Sequence, residues 1–594
     1  MYQYGLIGNC QISALISAQG SLDWLCLPRP DSPPIFGKIL DQEGSQFSIS
    51  ASVPSSETTT TQQYLPNTNI LITTVSLPSG DAFRITDFCP RFLQYGRIYR
   101  PAALFRIVEP LSGSPPIRVC CKPVSGWEKT PVRPVRGSSH VRYDIRGDYL
   151  RLLTHMPLTY LCGETPVLLT SKMYFALTWG LGIEDDLVKV SHEFLDQTTK
   201  YWQTWVKQCS IPVIYQEEVI RSALALKLNC YEDTGAILAA PTISLPEEPG
   251  GPRNWDYRYC WLRDAHFSLS AFHNLGQFEE MEGFLKFLLN VGYASEQSHD
   301  RLAPVYKLSQ DLPLPETEHA NWQGFLGSRP VRSHNQAAEH IQSGVYGEMI
   351  LTLAPIFFDN RLIDLRTKEH EALVANLVRL CERSISQPDA GPWEIRNGWK
   401  EHSFTNLMCW AGLDRAYRMQ QAGFFRDLPT NLDSARARAA NALLQATKDK
   451  ALRNGPTDES YDASLAQLAI LGFPDREVCD TTITQIKQAL ALRQDGKETG
   501  FFFRYLRQDD FGKPQSSFVI CSFWVVQALA KLGRLAEAKQ IMNQILTGAN
   551  GVGLFAEHFV PETRVQLGNF PQAYSHVGLI NAAFAVSPPW SDVL

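Results

Sequence analysis

The apolar residues change period once, near residue 190, and no other feature limits the fold of this chain as tightly. Before that point they alternate. Leu71, Thr73, Val75 and Leu77 share one face, break at Pro78-Ser-Gly-Asp, and give way to a second extended run through Phe83 and Ile85. Segments 141–145 and 149–153 flank Arg146-Gly-Asp, which reads as a hairpin turn rather than an adhesion motif. Pro and Gly recur about every ten residues, as short strands of a mostly antiparallel β-sandwich require.

Beyond residue 190 the spacing is helical. Residues 190–206 read as a connector helix. Met281, Phe284, Leu285 and Leu288 then fall on one face, as do Ile483, Ile486 and Leu490, and Leu535, Ala538, Met542 and Ile545. Twelve further helices are predicted, at 216–231, 263–275, 277–290, 336–358, 366–387, 403–421, 430–447, 461–472, 475–491, 516–533, 535–548 and 571–587. Twelve helices in antiparallel pairs fit an all-α (α/α)6 barrel, six inner and six outer. The absence of a fixed-period repeat counts against a solenoid. With 594 residues the chain exceeds a single core, and it divides into a β-sandwich at 1–190, a helical linker at 191–213 and the barrel at 214–594.

A net charge of −6 gives no basic face for nucleic acid or an anionic membrane. The local cluster Lys129, Arg133, Arg136, Arg142 and Arg146 reads as a solvated loop. The N-terminus lacks the charged-then-apolar pattern of a secretory signal, and the most apolar run, 349–358, is too short for a membrane span. Thirteen cysteines, an odd number without framework spacing, with Cys120-Cys121 side by side on a strand, favour a reducing, cytoplasmic compartment. No Cys/His metal spacing, phosphate loop or dinucleotide fingerprint occurs, so neither metal nor organic cofactor is expected. No motif specifies an oligomeric state.

The connections at 232–262, 291–335, 388–402, 492–515 and 549–570 are long and rich in Trp, Gly, Pro and charge. Long loops in a compact domain are usually functional. Gathered at one barrel end, they would wall a pocket. Two of them place a glutamate among aromatics: Glu394 in Gly391-Pro-Trp-Glu-Ile-Arg-Asn-Gly-Trp, and Glu557 in Gly553-Leu-Phe-Ala-Glu-His-Phe. Acetal hydrolysis needs such a pair, one to protonate the leaving oxygen and one to activate water or attack. Apolar neighbours would raise a carboxyl pKa, as an acid requires. A third segment, Asn254-Trp-Asp-Tyr-Arg-Tyr-Cys-Trp-Leu-Arg-Asp-Ala, sets Arg263 and Asp264 at a helix start. These two read equally as a helix-capping ion pair or as a grip on vicinal sugar hydroxyls. His558 follows Glu557, but adjacent residues generally point apart, and no role is read for it.

Long segments in a fixed order settle more. Tyr4-Gly-Leu-Ile-Gly-Asn, Gly20-Ser-Leu-Asp-Trp-Leu-Cys-Leu-Pro-Arg-Pro-Asp-Ser, the Arg253–Asp264 segment, Gly327-Ser-Arg-Pro-Val-Arg, Cys521-Ser-Phe-Trp and Leu567-Gly-Asn-Phe-Pro-Gln-Ala-Tyr-Ser-His-Val-Gly-Leu-Ile resemble glycoside hydrolase family 15, the glucoamylases and their bacterial and archaeal relatives, trehalases included. The resemblance implies Glu394 as general acid and Glu557 as general base. It implies that Trp261, Arg263 and Asp264 hold the terminal glucose, with Tyr257, Trp393 and Arg504 beside the same sugar. The family inverts, which implies carboxyls roughly 6.5–9.5 Å apart with a water between them. The implied activity is exo-hydrolysis of α-glucans or short oligosaccharides with release of β-glucose. Trehalose or α-1,6-linked glucosides are the alternatives within the family, and a non-catalytic carbohydrate-binding paralogue is the alternative outside it. The chain departs from the family pattern at Ser333-His-Asn, at Ser343-Gly, which lacks a carboxylate, and at Gln515, where a Glu is common. All three departures are expected near the far side of the scissile bond.

Overall fold

The computed structural model describes residues 2–180, 182–298, 301–425, 428 and 430–594. The alternating runs of the first 180 residues pair into two antiparallel sheets, one of seven strands and one of eight. Their inner faces meet in one apolar core, where Leu22, Phe47, Ile49 and Val119 of the first sheet pack on Val75, Phe83, Ile85, Leu152 and Phe175 of the second. This is a mostly antiparallel β-sandwich. The predicted Arg146-Gly-Asp turn is present: His140–Ile145 pairs with Asp148–Thr154, and Arg146 and Gly147 both take positive φ (53° and 85°). That is the two-residue turn whose twist matches the strands. One short helix, α1 (Leu158–Gly163), lies within this region.

The basic cluster is less solvated than its composition implies. Lys129 pairs with Asp41 at 2.7 Å and lies over the Trp322 ring, so this loop is docked on the helical region, while Arg133 and Arg136 are exposed.

The connector is α2 (Leu187–Gln208), started by Asp186 accepting from the Lys189 amide. Its early residues Leu187 and Val190 cover the outer face of the eight-stranded sheet. Its later residues Trp202, Trp205 and Val206 enter the helical core.

The twelve expected helices follow: α3 (Gln216–Leu228), α4 (Leu262–Leu275), α5 (Phe278–Ser298), α6 (Gly344–Phe358), α7 (Lys368–Ser384), α8 (Ser403–Gln421), α9 (Leu432–Gln445), α10 (Gln467–Ile470, continuing a 3-10 turn from Ala463), α11 (Arg476–Leu490), α12 (Val519–Lys531), α13 (Leu535–Leu546) and α14 (Ala573–Val586). Most ends shift by a few residues, and two boundaries differ by eight. α5 continues through Gly292 because the missing side chain admits Leu373 of α7, whose Cδ1 would lie 2.8 Å from a β-carbon there. The 336–358 run breaks between its 3-10 turn and α6, because Asp389 captures the Ser343 amide at 2.8 Å and Asn335 caps the turn.

α4 packs on α6, α6 on α8, α8 on the turn before α10, that turn and α10 on α12, α12 on α14, and α14 back on α4. The other six lie outside: α3 on α14, α5 on α4, α7 on α6 and α8, α9 on α8, α11 beside α10, and α13 on α12. No helix among the described residues is long and apolar enough to cross a membrane. All thirteen cysteines are free thiols.

The two regions meet where the long 237–261 connection passes over the sandwich. The Trp24 indole donates to the Pro241 carbonyl at 2.7 Å, and Arg258, paired with Asp256, donates to the Ser32 carbonyl at 2.6 Å. The Gly20–Ser32 segment, distinctive in the sequence, thus buttresses one connection of the helical region.

Candidate active site

That connection is extended and doubled on itself, with Ala239, Ala240 and Ser244 amides donating to the carbonyls of Tyr259, Tyr257 and Trp255. Extended backbone sends alternate side chains to opposite faces. Asp256 and Arg258 therefore turn to the sandwich, while Arg253, Trp255, Tyr257 and Trp261 turn into one pocket. Arg263 and Asp264 at the start of α4, Phe518 before α12, and Gln572 and Tyr574 at the start of α14 complete its floor.

Glu394 lines this pocket and Glu557 is buried behind the lining residue Tyr257, and each is held from the aromatic segment. The Tyr257 hydroxyl donates to Glu557 Oε1 at 2.6 Å, and the Trp261 indole donates to Glu394 Oε1 at 2.7 Å. The two rings meet edge to face with centroids 5.4 Å apart. One aromatic pair thus fixes both carboxylates.

Their surroundings are unequal. Glu557 is 1% exposed, and its Oε2 accepts from the Asn569 amide at 3.3 Å. Gly568 makes room for it: φ is +74°, and a β-carbon there would lie 2.4 Å from Oε2. Glu394 sits in the left-handed region (φ 62°), where a non-glycine residue is strained, and its side chain is 23% exposed. The apolar enclosure expected around Glu394 is absent. Instead, Arg263 donates to the same Oε1 at 3.2 Å, and Oε2 has no hydrogen-bond partner among the described residues.

Arg263 and Asp264 do not form a capping pair. They lie 3.9 Å apart, no side chain caps α4, and Arg263 donates to Gln342 at 2.7 Å as well as to Glu394. Burial pushes the Asp264 carboxyl up to about 7, with Arg263 opposing and Glu394 and Glu557 adding to the rise. Trp393 lines the pocket and anchors its indole N–H on Asp462 at 2.9 Å. Arg504 lines it too, but spends its guanidinium on Glu247 at 2.9 Å.

Several lining residues went unread in the sequence. Glu247 accepts from Arg504 and from the Trp255 indole, and burial, which would raise its carboxyl, is outweighed by Arg504, His558 and Arg253, which hold it at about 2. Arg396 closes the outer wall: its guanidinium donates to Gln336 at 3.0 Å and Glu316 at 2.9 Å, its amide to Asp510 at 2.6 Å, and it stacks over Trp255 and Phe511. The WxxR pattern from Trp393 to Arg396 was the available signal.

The departures from the family pattern fall in different places. Asn335 lines the pocket, Gly344 borders a small cavity behind Arg263, and Gln515 is exposed outside both. Among the described residues one group could present three ligand atoms to a metal ion, Glu247, Glu557 and His558, within 4.8 Å of one another. Arg504 and Trp255 already occupy Glu247 and Tyr257 occupies Glu557, so we assign no metal there.

Aromatic faces among ion-paired carboxylates and guanidiniums suit a neutral, hydroxyl-rich ligand. Comparison with known proteins agrees in kind. The family model described as "Glycosyl hydrolases family 15" matches residues 213–540, and "Trehalase-like, N-terminal" matches residues 2–143. A trehalase of Mycolicibacterium smegmatis is 30% identical, covering 98% of this chain and 90% of its own. A trehalase of Thermoplasma volcanium is 29% identical, covering 98% and 92%. In fold, the chain is similar to a bacterial glucoamylase crystallised with acarbose, at a TM-score of 0.67 and 12% identity over 98% of this chain and 94% of that one.

Proposed function

This chain belongs to glycosyl hydrolases family 15 and is a glycoside hydrolase, and from that premise we propose that it cleaves trehalose by inversion, with Glu394 as acid and Glu557 as base. The observation that carries the reading is the shared aromatic pair: Tyr257 on one glutamate and Trp261 on the other, with Arg263 between pocket and acid.

The mechanism follows from which oxygens are free. Both donors to Glu394 reach Oε1, so the catalytic proton resides on Oε2 and passes to the glycosidic oxygen. Glu557 accepts a donor at each of its oxygens and, as base, takes a proton from the water that attacks the opposite face of the sugar. Trp261, Arg263, Asp264, Tyr257, Trp393 and Arg504 grip the ring that is attacked.

Two observations favour trehalose over the α-glucans that the sequence placed first. Relatives named as trehalases match nearly end to end, at about 30% identity. The Arg396 clasp ties the outer wall together, which suits a short acceptor sugar better than a chain. The closed cycle of six inner helices supports the (α/α)6 reading of residues 214–594, behind a sandwich at 1–190 and a linker at 191–213. Thirteen free thiols support a reducing, cytoplasmic setting. The test is kcat/KM on trehalose, maltose and isomaltose. Trehalose should exceed the others at least tenfold, and a preference for maltose would return the reading to glucan hydrolysis.

A further inference from the structure

Behind the base lies a buried imidazole that the reaction as described does not use. His558 is 1% exposed and stacks on Phe518, with ring centroids 4.9 Å apart and planes 8° from parallel. Its Nε2 has no hydrogen-bond partner among the described residues and lies 3.7 Å from Glu557 Oε1 and 3.7 Å from Glu247 Oε2. Its Nδ1 lies 3.0 Å from the Ser516 hydroxyl, which itself donates to the Glu247 carbonyl at 3.2 Å. The hydroxyl proton being engaged there, Ser516 accepts, and Nδ1 carries a hydrogen. Nε2 is then the nitrogen that two carboxylates face.

The charges around it can be counted. Glu557 and Glu247 are the anions, and Arg504 is the cation fixed on Glu247. Tyr257 on Glu557 is neutral, as are Phe518 on the neighbouring strand, Ser516 just before it, and Gln566 and Leu567 on the other strand. Arg253 is taken up by Asp509 at 2.6 Å. With neutral His558 the buried group carries one excess negative charge; with an imidazolium it balances. Buried charge is costly unless compensated.

We propose that His558 is a positioning residue: an imidazolium clamped between Glu247 and Glu557 that keeps the base ionised and aimed at the water. This rests on the assignment of Glu557 as base. The 3.7 Å spacing exceeds a hydrogen bond, so the clamp acts by charge. Glu247, held down by Arg504 and Trp255, serves as the fixed anchor. A nearby cation lowers a carboxyl pKa, so loss of the clamp lets protons reach Glu557 at higher pH.

The experiment is the pH profile of kcat/KM for wild type, H558Q and H558K, with melting curves to confirm folding. H558Q should shift the acid limb upward by about one pH unit or more, leave the alkaline limb in place, and lose the shift in H558K, which restores the charge. A folded H558Q with the wild-type acid limb overturns the proposal. So does loss of wild-type activity in EDTA that a divalent cation restores only while His558 is present, since the cluster would then be a metal site. Should both variants misfold, ring-nitrogen NMR of the whole protein labelled with 15N-histidine decides. One buried imidazole should keep both nitrogens protonated above pH 7 and lose one proton in E247Q, and its absence overturns the clamp. Full activity in E557Q would instead overturn the assignment of the base, whatever His558 does.

Discussion

The inner and outer walls of the pocket are built by different means. The inner wall rises from one extended segment and the first turns of α4 and α14, each a continuous stretch of sequence. The outer wall is assembled from three separate connections, the one from α5 to α6 (around 316 and 336) and those around 396 and 510, tied together by Arg396. The difference teaches where chemistry and selectivity reside. Tyr257, Trp261 and Arg263, which hold the two carboxylates in fixed geometry, belong to the inner wall, whereas the second sugar is judged by the outer loops, one of which also carries Glu394.

The sharpest way to break this division is to remove one of the carboxylates that the inner wall holds. E557Q and E394Q should each lower kcat on trehalose by about 10³–10⁴-fold, roughly 4–5 kcal/mol of transition-state stabilisation, with KM little changed. Steady-state kinetics checks it, and a variant within tenfold of wild type would place the chemistry elsewhere.

Next in size is the strain stored at Asp264. Its folded carboxyl titrates near 7 against an ordinary 3.8, so folding favours the protonated form. The stability it contributes is full below about pH 4 and is lost as pH rises through 7. D264N should therefore gain stability over wild type across that window, by roughly 4 kcal/mol at most, and stay level above it. Denaturant midpoints at pH 4, 6 and 8 give the answer, and a difference that does not grow with pH contradicts the assignment.

The smallest effect sharpens the comparison from the outer side. R396A should raise KM for trehalose about tenfold while kcat stays within about threefold, the signature of lost uniform binding. Activity on maltotriose should rise relative to trehalose as the wall opens. A loss of kcat instead would mean that the outer wall serves the reaction itself.

The same contrast explains what could be read from the sequence. The period change at 190, the helices and the arginine and tryptophans of the 253–264 segment were legible because each is local. Glu247 and Arg396 were not, since their importance comes from partners 257 and 80 residues away in Arg504 and Glu316. The environment of Glu394 was misjudged for a related reason: its neighbours in sequence are apolar, but its neighbours in space are the Trp261 indole and Arg263. His558 was set aside on the rule that adjacent side chains diverge, and its ring nitrogen nevertheless comes within 3.7 Å of Glu557.

The central claim is that Glu557 delivers water to the face of the sugar opposite the bond that Glu394 protonates. Proton NMR of trehalose hydrolysis, recorded before the sugars mutarotate, tests it most directly. Inversion turns the attacked ring into β-glucose and leaves the departing ring α, so the first products should be the two anomers in equal amounts. Appearance of α-glucose alone would contradict it.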